Sequence, residues 1–286
     1  MNLSKLFFFG LILTSLAAVA QEPSNKPSKS NKGKFYFYWG WNRGTYSNSD
    51  IHFKGTNYDF TLLDVRATDK QAKFTINSYL NPLLLTIPQF NARLGYNISE
   101  HYSISLGDDH MKYLMTQNQT VNASGNIAVT NYPKYNGNYN LSPVKLTEDF
   151  LMLQHCDGLN YLNAEFRRYD EVFNFNKIHA GDISVSINEG LGIGALMPRT
   201  RATLLTNMPN HEFHFAGYGA GAVAAINIQF WKHFFVQAEY KVGFINMPDI
   251  FTTMDMNDRA SQHFWFTQRN ITFGWVFKLE KKKKSV

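Results

Sequence analysis

The sequence predicts an all-β fold, an antiparallel up-and-down transmembrane β-barrel, and three observations lead to it. Residues 262–279 alternate large apolar side chains with small or polar ones, which is the two-residue period of a β-strand. Several earlier segments repeat this alternation over lengths close to the roughly 9–11 residues of a tilted membrane strand. No run of about 18 apolar residues follows the N-terminal one, and a chain without such a run spans a bilayer only as a closed barrel.

The alternating segments are the expected wall strands, with their long apolar side chains facing outwards and aromatic residues near their ends forming the interfacial girdles. The glycine-rich segment from Gly217 lacks the Lys-Ser or Lys-Thr of a phosphate loop and is interpreted as a tightly curved strand. The segments are residues 34–43, 88–98, 101–107, 162–167, 182–195, 217–225, 234–244 and 262–279.

The polar faces of these strands favour a barrel over a soluble sandwich. A sandwich exposes that face to water and fills it with Lys and Glu, whereas here it is mostly Ser, Asn, Gly, Thr and Gln. The few charged residues have both signs, and inside a barrel lumen they can pair, which makes their burial tolerable. We expect a lumen charge network of Arg93, Glu165, Arg167, Glu239 and Lys241.

Connection lengths predict the topology. Residues 97–100 and 231–233 are short and should be periplasmic turns, whereas residues 44–57, 118–140, 197–211 and 246–261 are long and should lie outside. A further strand near residues 72–79 brings the expected count to about ten, within a range of eight to twelve. If residues 145–153 also pair into the wall with a partner, the count becomes about twelve.

The chain is expected to divide into four parts. Residues 1–20 carry Lys5, an apolar run and the ending Ala18-Val19-Ala20, which is the pattern of a cleavable export signal. Residues 21–33 are rich in Pro, Ser, Asn and Lys and are expected to be a disordered lead-in. Residues 34–279 are the barrel, and residues 280–286 are a basic tail.

Composition excludes several classes of protein. The single cysteine, Cys156, forbids an intrachain disulfide, so packing and hydrogen bonds must stabilise this exported chain. Charged residues are only 17% of the sequence and aromatic residues 15%, which is unlike a nucleic-acid-binding protein. The net charge of +6 comes partly from the lysines of residues 281–284.

At this point the chain resembles the small Gram-negative outer-membrane β-barrel proteins, the porin-like and OmpA-like barrels. The resemblance rests on the export signal ending AVA, the alternating strands and the final strand NITFGWVFKL. It implies a location in the cell outer membrane, outer-membrane lipid as surroundings, and recognition of the last strand by the barrel-assembly machinery. The chain departs from the common pattern of a terminal Phe, since it continues through Leu279 to the Lys-rich tail.

The predicted outer rim gathers polar residues that are candidates for chemistry. Asn42, Arg43 and Asp108 are expected to form a rim binding surface. Carboxylates beside His can bind Ca²⁺ or act as a general base, so a second set could form a hydrolytic site. That set is Asp109, His110, His155 and Asp157. We assign no cofactor and no metal site. His101 and Ser103 share a face, but they should lie at the periplasmic end and are not expected to be catalytic.

Three functions remain open at this stage. The favoured hypothesis is a structural barrel, or one that passively binds and passes a small solute through a narrow lumen largely filled by side chains. The alternative is an outer-membrane lipid-modifying hydrolase, similar to a deacylase or phospholipase, with its site at the extracellular rim. The third is a soluble periplasmic β-sandwich that binds a lipid.

Overall fold

Long antiparallel strands form where the sequence alternates, because successive side chains then face opposite environments. The structure is a computed structural model that describes residues 30–84, 87–130, 132–175 and 183–279. The strands in these residues are β1 (Phe35–Tyr46), β2 (Ser49–Gly55), β3 (Tyr58–Val65), β4 (Ala67–Asp69), β5 (Phe90–Asn97), β6 (Tyr102–Met115), β7 (Thr120–Ile127), β8 (Gly137–Lys145), β9 (Leu151–Asn174), β10 (Ile183–Pro198), β11 (Arg201–Leu204), β12 (Gly217–Phe230), β13 (Phe234–Phe251) and β14 (Arg259–Phe277). One short helix, α1 (Ile76–Leu80), and 3-10 turns at Pro82–Leu84 and Pro133–Tyr135 complete them.

Eight strands close into a ring. β1 pairs with both β14 and β5, and the ring continues from β5 through β6, β9, β10, β12 and β13 to β14. The strands are staggered around the ring. Starting at Ile183 of β10 and moving each time to the paired residue on the next strand, one full circuit returns to β10 at Ile193, ten residues further along the chain. This stagger tilts the strands steeply and leaves an interior just wide enough for side chains.

The ring confirms the predicted barrel class, and its eight strands lie at the lower end of the expected range of eight to twelve. The additional strand predicted near residues 72–79 was wrong, because this stretch contains α1 and irregular backbone. Nor do residues 145–153 add wall strands, since Lys145 ends β8, which pairs with β7, and Leu151 begins β9. The eight alternating segments already run alternately up and down, so no further strand was needed.

The predicted outer loops are largely strands. β2, β3, β7 and β8 form a sheet that continues from the upper end of β14, while β4 pairs with β6 and β11 pairs with β9. Together with the upper ends of β6, β9, β13 and β14, these strands form what we call the outer β-domain. At the opposite end, residues 98–101 and 231–233 are short turns, as expected for the periplasmic side.

The barrel wall below the outer β-domain has an apolar outside and a polar inside. Its large apolar side chains remain 36–70% exposed in the isolated chain, as expected of a surface that contacts lipid. They include Phe37, Leu94, Leu106, Phe166, Ile193, Ile226, Ile271, Phe273 and Trp275. The same strands bury polar side chains inside, among them Asn91, Ser103, Asn163, Gln237 and Gln268.

The outer β-domain has the reverse arrangement, with a continuous apolar core. Phe53, Phe60, Leu62, Leu153 and Phe264 are all at most 1% exposed and belong to one cluster of buried apolar side chains. The apolar positions of β2 and β3 alternate in the same way as those of the wall, but they face this core instead of lipid. The molecule therefore stacks a water-exposed, apolar-cored domain on a polar-cored membrane barrel.

Several predicted parts lie outside the described residues. These are the export signal at residues 1–20, most of the lead-in at 21–33, and the tail at 280–286. Within the part of the chain that the structure describes, no helix is long and apolar enough to cross a membrane.

Candidate functional site

Six charged side chains meet inside the barrel wall, in what we call the lumen cluster. Alternation directs them inwards: Arg93 from β5, Asp109 from β6, Glu165 and Arg167 from β9, and Glu239 and Lys241 from β13. All six are at most 4% exposed. Four strands distributed around the ring therefore contribute charges to the same level of the lumen.

The charges of the lumen cluster are arranged in alternating contact. Glu165 lies at its centre and accepts ion pairs from Arg93 at 2.9 Å, Lys241 at 2.7 Å and Arg167 at 2.5 Å. Arg167 also contacts Glu239 at 2.7 Å. Lys241 contacts Asp109, and Arg93 lies 3.8 Å from that carboxylate. Three cations and three anions thus balance, which is the condition under which buried charge is tolerated.

Neutral side chains complete the hydrogen bonding of the lumen cluster. The Tyr38 hydroxyl accepts from Arg93 Nε at 3.0 Å and from Arg167 Nη2 at 2.9 Å. The Asn163 amide accepts from Arg93 Nη2 at 2.6 Å and donates to Asp109 Oδ2 at 3.1 Å. Asn270 donates to Glu239 Oε1 at 2.7 Å. A connected network of this kind fixes the positions of its members, since each bond is strengthened by the low local dielectric constant.

The lumen cluster separates two parts of the interior. Below it, a polar cavity of about 90 Å³ opens at the end that carries the short turns and is lined in part by Tyr36, Tyr169 and Asn227. Above it, Tyr161 and Phe266 contact each other at 6.1 Å between ring centres and begin the apolar core of the outer β-domain. The lumen is therefore filled first by paired charges and then by packed apolar side chains.

All five residues predicted for the lumen charge network take part in this cluster. Asp109 and Tyr38 were not included in the predicted network: Asp109 was assigned to the predicted rim, and no role was assigned to Tyr38. Alternation could have identified Asp109, because Ser103, Ser105 and Gly107 share its face two residues apart. No local signal marks Tyr38, since its role depends on β1, β5, β9 and β13 meeting in space.

The residues predicted as a rim binding surface do not share one face. Asn42 faces inwards, donating to Asn91 Oδ1 at 2.5 Å and to the Phe90 carbonyl at 2.9 Å. Arg43 faces outwards on β1, directly opposite Arg269 of β14. Asp108 also faces outwards, but on β6. A single rim site made of these three side chains is therefore not formed.

The four residues considered for hydrolysis are on different sides of the wall. Asp109 belongs to the lumen cluster, whereas His110 faces outwards and its Nδ1 lies 2.6 Å from Asn160 Oδ1. His155 is buried in the outer β-domain with Nδ1 2.8 Å from the Thr200 hydroxyl. Asp157 faces outwards, 3.6 Å from Arg201. The four side chains do not converge, because Asp109 and His110 are neighbours in a strand and so project to opposite faces. Of the four, His110 and Asp157 line the same pocket, together with Asp108.

Burial also makes His155 and Cys156 poor reactants. Removal from water lowers the pKa of His155, which lies above the membrane-spanning wall, to about 4. Burial raises the pKa of the Cys156 thiol to about 11, so it stays protonated at neutral pH. Within the described residues, no group of three His, Cys, Asp or Glu side chains is placed to hold a metal ion.

Comparison with solved structures returns outer-membrane proteins. AlkL, solved by solid-state NMR in lipid bilayers, has 7% sequence identity and a TM-score of 0.38, covering 92% of this chain and 99% of that chain. OprG from Pseudomonas aeruginosa has 10% identity and a TM-score of 0.38, with 88% and 100% covered. Neisserial surface protein A has 9% identity and a TM-score of 0.25, with 82% and 96% covered. No protein-family model matches the chain, and no curated protein matches it.

These likenesses concern the fold and not a ligand or an activity. The class of protein follows from the structure: a closed ring of eight strands with an apolar outside and paired charges inside is an outer-membrane β-barrel. The chain is accordingly a small β-barrel of the outer-membrane type.

Proposed function

We propose that this protein is a closed structural barrel of the outer membrane that presents its outer β-domain at the cell surface, and that solutes do not pass through its lumen. The observation that supports this proposal is the lumen cluster. A permeation path would have to cross a level at which one connected set of ion pairs joins six charged side chains. These are Arg93, Asp109, Glu165, Arg167, Glu239 and Lys241.

The energetics of the cluster also support a closed lumen. Separating one partner from a buried ion pair leaves an uncompensated charge and costs on the order of 3–5 kcal/mol. Because Glu165 contacts three cations, displacing it disturbs Arg93, Arg167 and Lys241 together. Above the cluster, a solute would also have to displace the apolar core of the outer β-domain.

Conductance in a planar bilayer tests the proposal. The refolded protein should give no discrete channel openings in symmetric salt solution. A triple variant Arg93→Ala, Glu165→Ala and Lys241→Ala removes half of the six charged side chains but not the apolar core, so it should leak at most weakly. The matched control is Lys134→Ala with Asp149→Ala, which removes an exposed ion pair of the outer β-domain and should stay silent.

Steady, ion-selective openings of the unaltered protein would overturn the closed-barrel proposal and support the passage of small solutes. Insertion is judged by protection of the wall from added protease. Inserted protein that gives no channel openings supports the closed-barrel proposal. The insertion measurement is needed because protein that never enters the bilayer is also silent.

A further inference from the structure

The connection between β4 and β5 is an uncharged segment with exposed apolar side chains. Between Lys73 and Arg93 the sequence contains no charged residue and no histidine. In the structure four large apolar side chains of this connection are exposed: Phe74 by 74%, Ile76 by 72%, Leu83 by 90% and Ile87 by 45%. We call the described residues of this connection, 74–84 and Ile87, the lateral segment. Such a concentration of apolar surface marks a contact surface.

The first half of the lateral segment is attached to the outward face of the wall. Tyr79 of α1 is 8% exposed and packs against Trp41, with ring centres 5.7 Å apart. Trp41 in turn contacts Trp39 at 5.1 Å and Phe273 at 5.8 Å. Both of these residues belong to the apolar outer surface of the barrel, so α1 lies directly against the surface that faces lipid.

The end of the lateral segment is attached at the upper boundary of the same surface. Lys112, which faces outwards on β6, donates from Nζ to the Ile87 carbonyl at 2.6 Å. On β6 the outward residues change from Ile104 and Leu106 to Asp108 and His110 before Lys112 is reached. The segment thus lies beside the wall at the level where the apolar surface gives way to polar residues.

Polar side chains at both ends of α1 are hydrogen-bonded within the lateral segment. Thr75 accepts from the Ser78 backbone N–H at 3.0 Å and donates to the Ser78 hydroxyl at 2.8 Å. Asn81 donates to Asn77 Oδ1 at 2.9 Å. Internal bonding lowers the cost of leaving water, and an uncharged sequence removes the main obstacle to entering a bilayer.

We propose that the lateral segment contacts the outer leaflet of the membrane, with Phe74, Ile76, Leu83 and Ile87 among lipid acyl chains. The occupant of this apolar surface is lipid because the surface is continuous, through Tyr79 and Trp41, with the lipid-facing wall. The barrel is thereby anchored laterally as well as by its strands, in the manner of an interfacial amphipathic segment.

Fluorescence quenching at single labelled cysteines tests this contact. In a Cys156→Ser background, a polarity-sensitive dye is attached at Leu83→Cys, and the protein is refolded into phosphatidylcholine vesicles. Nitroxide groups on the acyl chains should quench this dye strongly, and aqueous iodide should quench it weakly, with emission shifted to the blue. If Cys156→Ser does not refold, the same labels are introduced in a Cys156→Ala background.

Two controls separate the possible outcomes. Leu141→Cys labels a leucine that is 60% exposed on β8 of the outer β-domain, and iodide should quench it strongly. Phe273→Cys labels the lipid-facing wall, and the acyl-chain nitroxides should quench it. A Leu83 label that behaves like the Leu141 label, while the Phe273 label is quenched from lipid, overturns the proposed contact and leaves the barrel assignment intact.

Discussion

At the scale of single residues, the most consequential feature is that the interior of the barrel contains charged side chains, whereas the interior of a soluble protein contains mainly apolar ones. Arg93 and Arg167 are among the largest fully buried side chains among the described residues. A buried ion pair contributes little net stability relative to an apolar pair of similar volume, but loss of one partner is costly. The lumen cluster should therefore be sensitive to single substitutions and tolerant of matched ones.

Arg167→Met should lower the free energy of unfolding by about 3–5 kcal/mol, because Glu239 and Glu165 lose a buried cation at 2.7 and 2.5 Å. The double variant Arg167→Met with Glu239→Leu keeps two cations and two anions and should recover most of that loss. Urea unfolding in phospholipid vesicles measures both. Lys134→Met, in an exposed pair with Asp149, is the control and should change little. Equal losses in the single and double variants would contradict this account.

His155 should make the outer β-domain sensitive to acid. Burial lowers its pKa to about 4, whereas an unfolded histidine titrates near pH 6.5, so between these values the unfolded chain binds the proton first. The corresponding stability is fully present above about pH 6.5 and is lost as the pH falls towards 4, by about 3 kcal/mol. His155→Asn should remove this part of the pH dependence in urea unfolding. His263→Asn, at an exposed position, should retain it, and a His155→Asn curve parallel to the original would refute the assignment.

At the scale of elements, the alternation of apolar and polar residues predicted the strands of the ring but not the strands of the outer β-domain. The eight segments that alternate over long stretches are the eight ring strands, because a wall with lipid on one side and polar groups on the other imposes that pattern at every residue. The strands β2, β3, β7 and β8 are short, and they are stabilised by a shared core that only tertiary contacts create.

The candidate site was predictable in part for the same reason. Periodicity identifies which residues face inwards, so Arg93, Glu165, Arg167, Glu239 and Lys241 could be grouped from the sequence. It does not give the register between strands, so the pairing of Glu165 with three cations could not be foreseen. The strand predicted near residues 72–79 came from the need to make the connections alternate between the two ends of the barrel, and not from a side-chain pattern. Tyr79 instead belongs to α1, which packs against Trp41.

Two glycines of the wall are required by aromatic rings on adjacent strands. A Cβ on Gly95 would overlap the ring of Tyr36, and one on Gly274 would overlap the ring of Phe235. Gly95→Ala should therefore destabilise the barrel by about 1–3 kcal/mol through displacement of Tyr36. Urea unfolding measures the effect. Gly44→Ala is the matched control, because the nearest atom to its Cβ is the Tyr46 hydroxyl at 3.1 Å. A larger loss for Gly44→Ala would count against this explanation.

The free edge of the outer sheet is protected against pairing with another chain. β8 ends the path of paired strands, and an exposed strand edge favours association. Pro143 lacks an N–H group, and Leu141 has a positive φ of 52° beside a register shift between β7 and β8. Both features interrupt the regular ladder that an added strand would need.

At the scale of the whole molecule, a barrel wall with an apolar outer surface is joined end to end to an outer β-domain with a polar outer surface. The wall requires lipid or detergent around Phe37, Leu106 and Ile193, whereas the outer β-domain requires water around its polar surface. The stability of the whole therefore depends on the presence of an apolar solvent at one end only.

The folded protein should show heat-modifiable mobility on a gel. Barrel strands paired in a closed ring resist detergent at room temperature, so an unboiled sample should migrate differently from a boiled one. The control is protein kept in urea, which should migrate identically with or without boiling. A monodisperse protein in buffer free of detergent, with one mobility under both conditions, would instead indicate the soluble sandwich.

One strand seals both parts of the molecule. β14 closes the ring against β1, and its first residues, Arg259 to Gln262, pair with Ile51 to Lys54 of β2. The hairpin of β2 and β3, which comes first in the outer β-domain, therefore lacks one of its neighbouring strands until β14, the last strand, is in place. Neither the ring nor the outer β-domain can therefore be completed before β14 is in place, and β14 couples the assembly of the two parts.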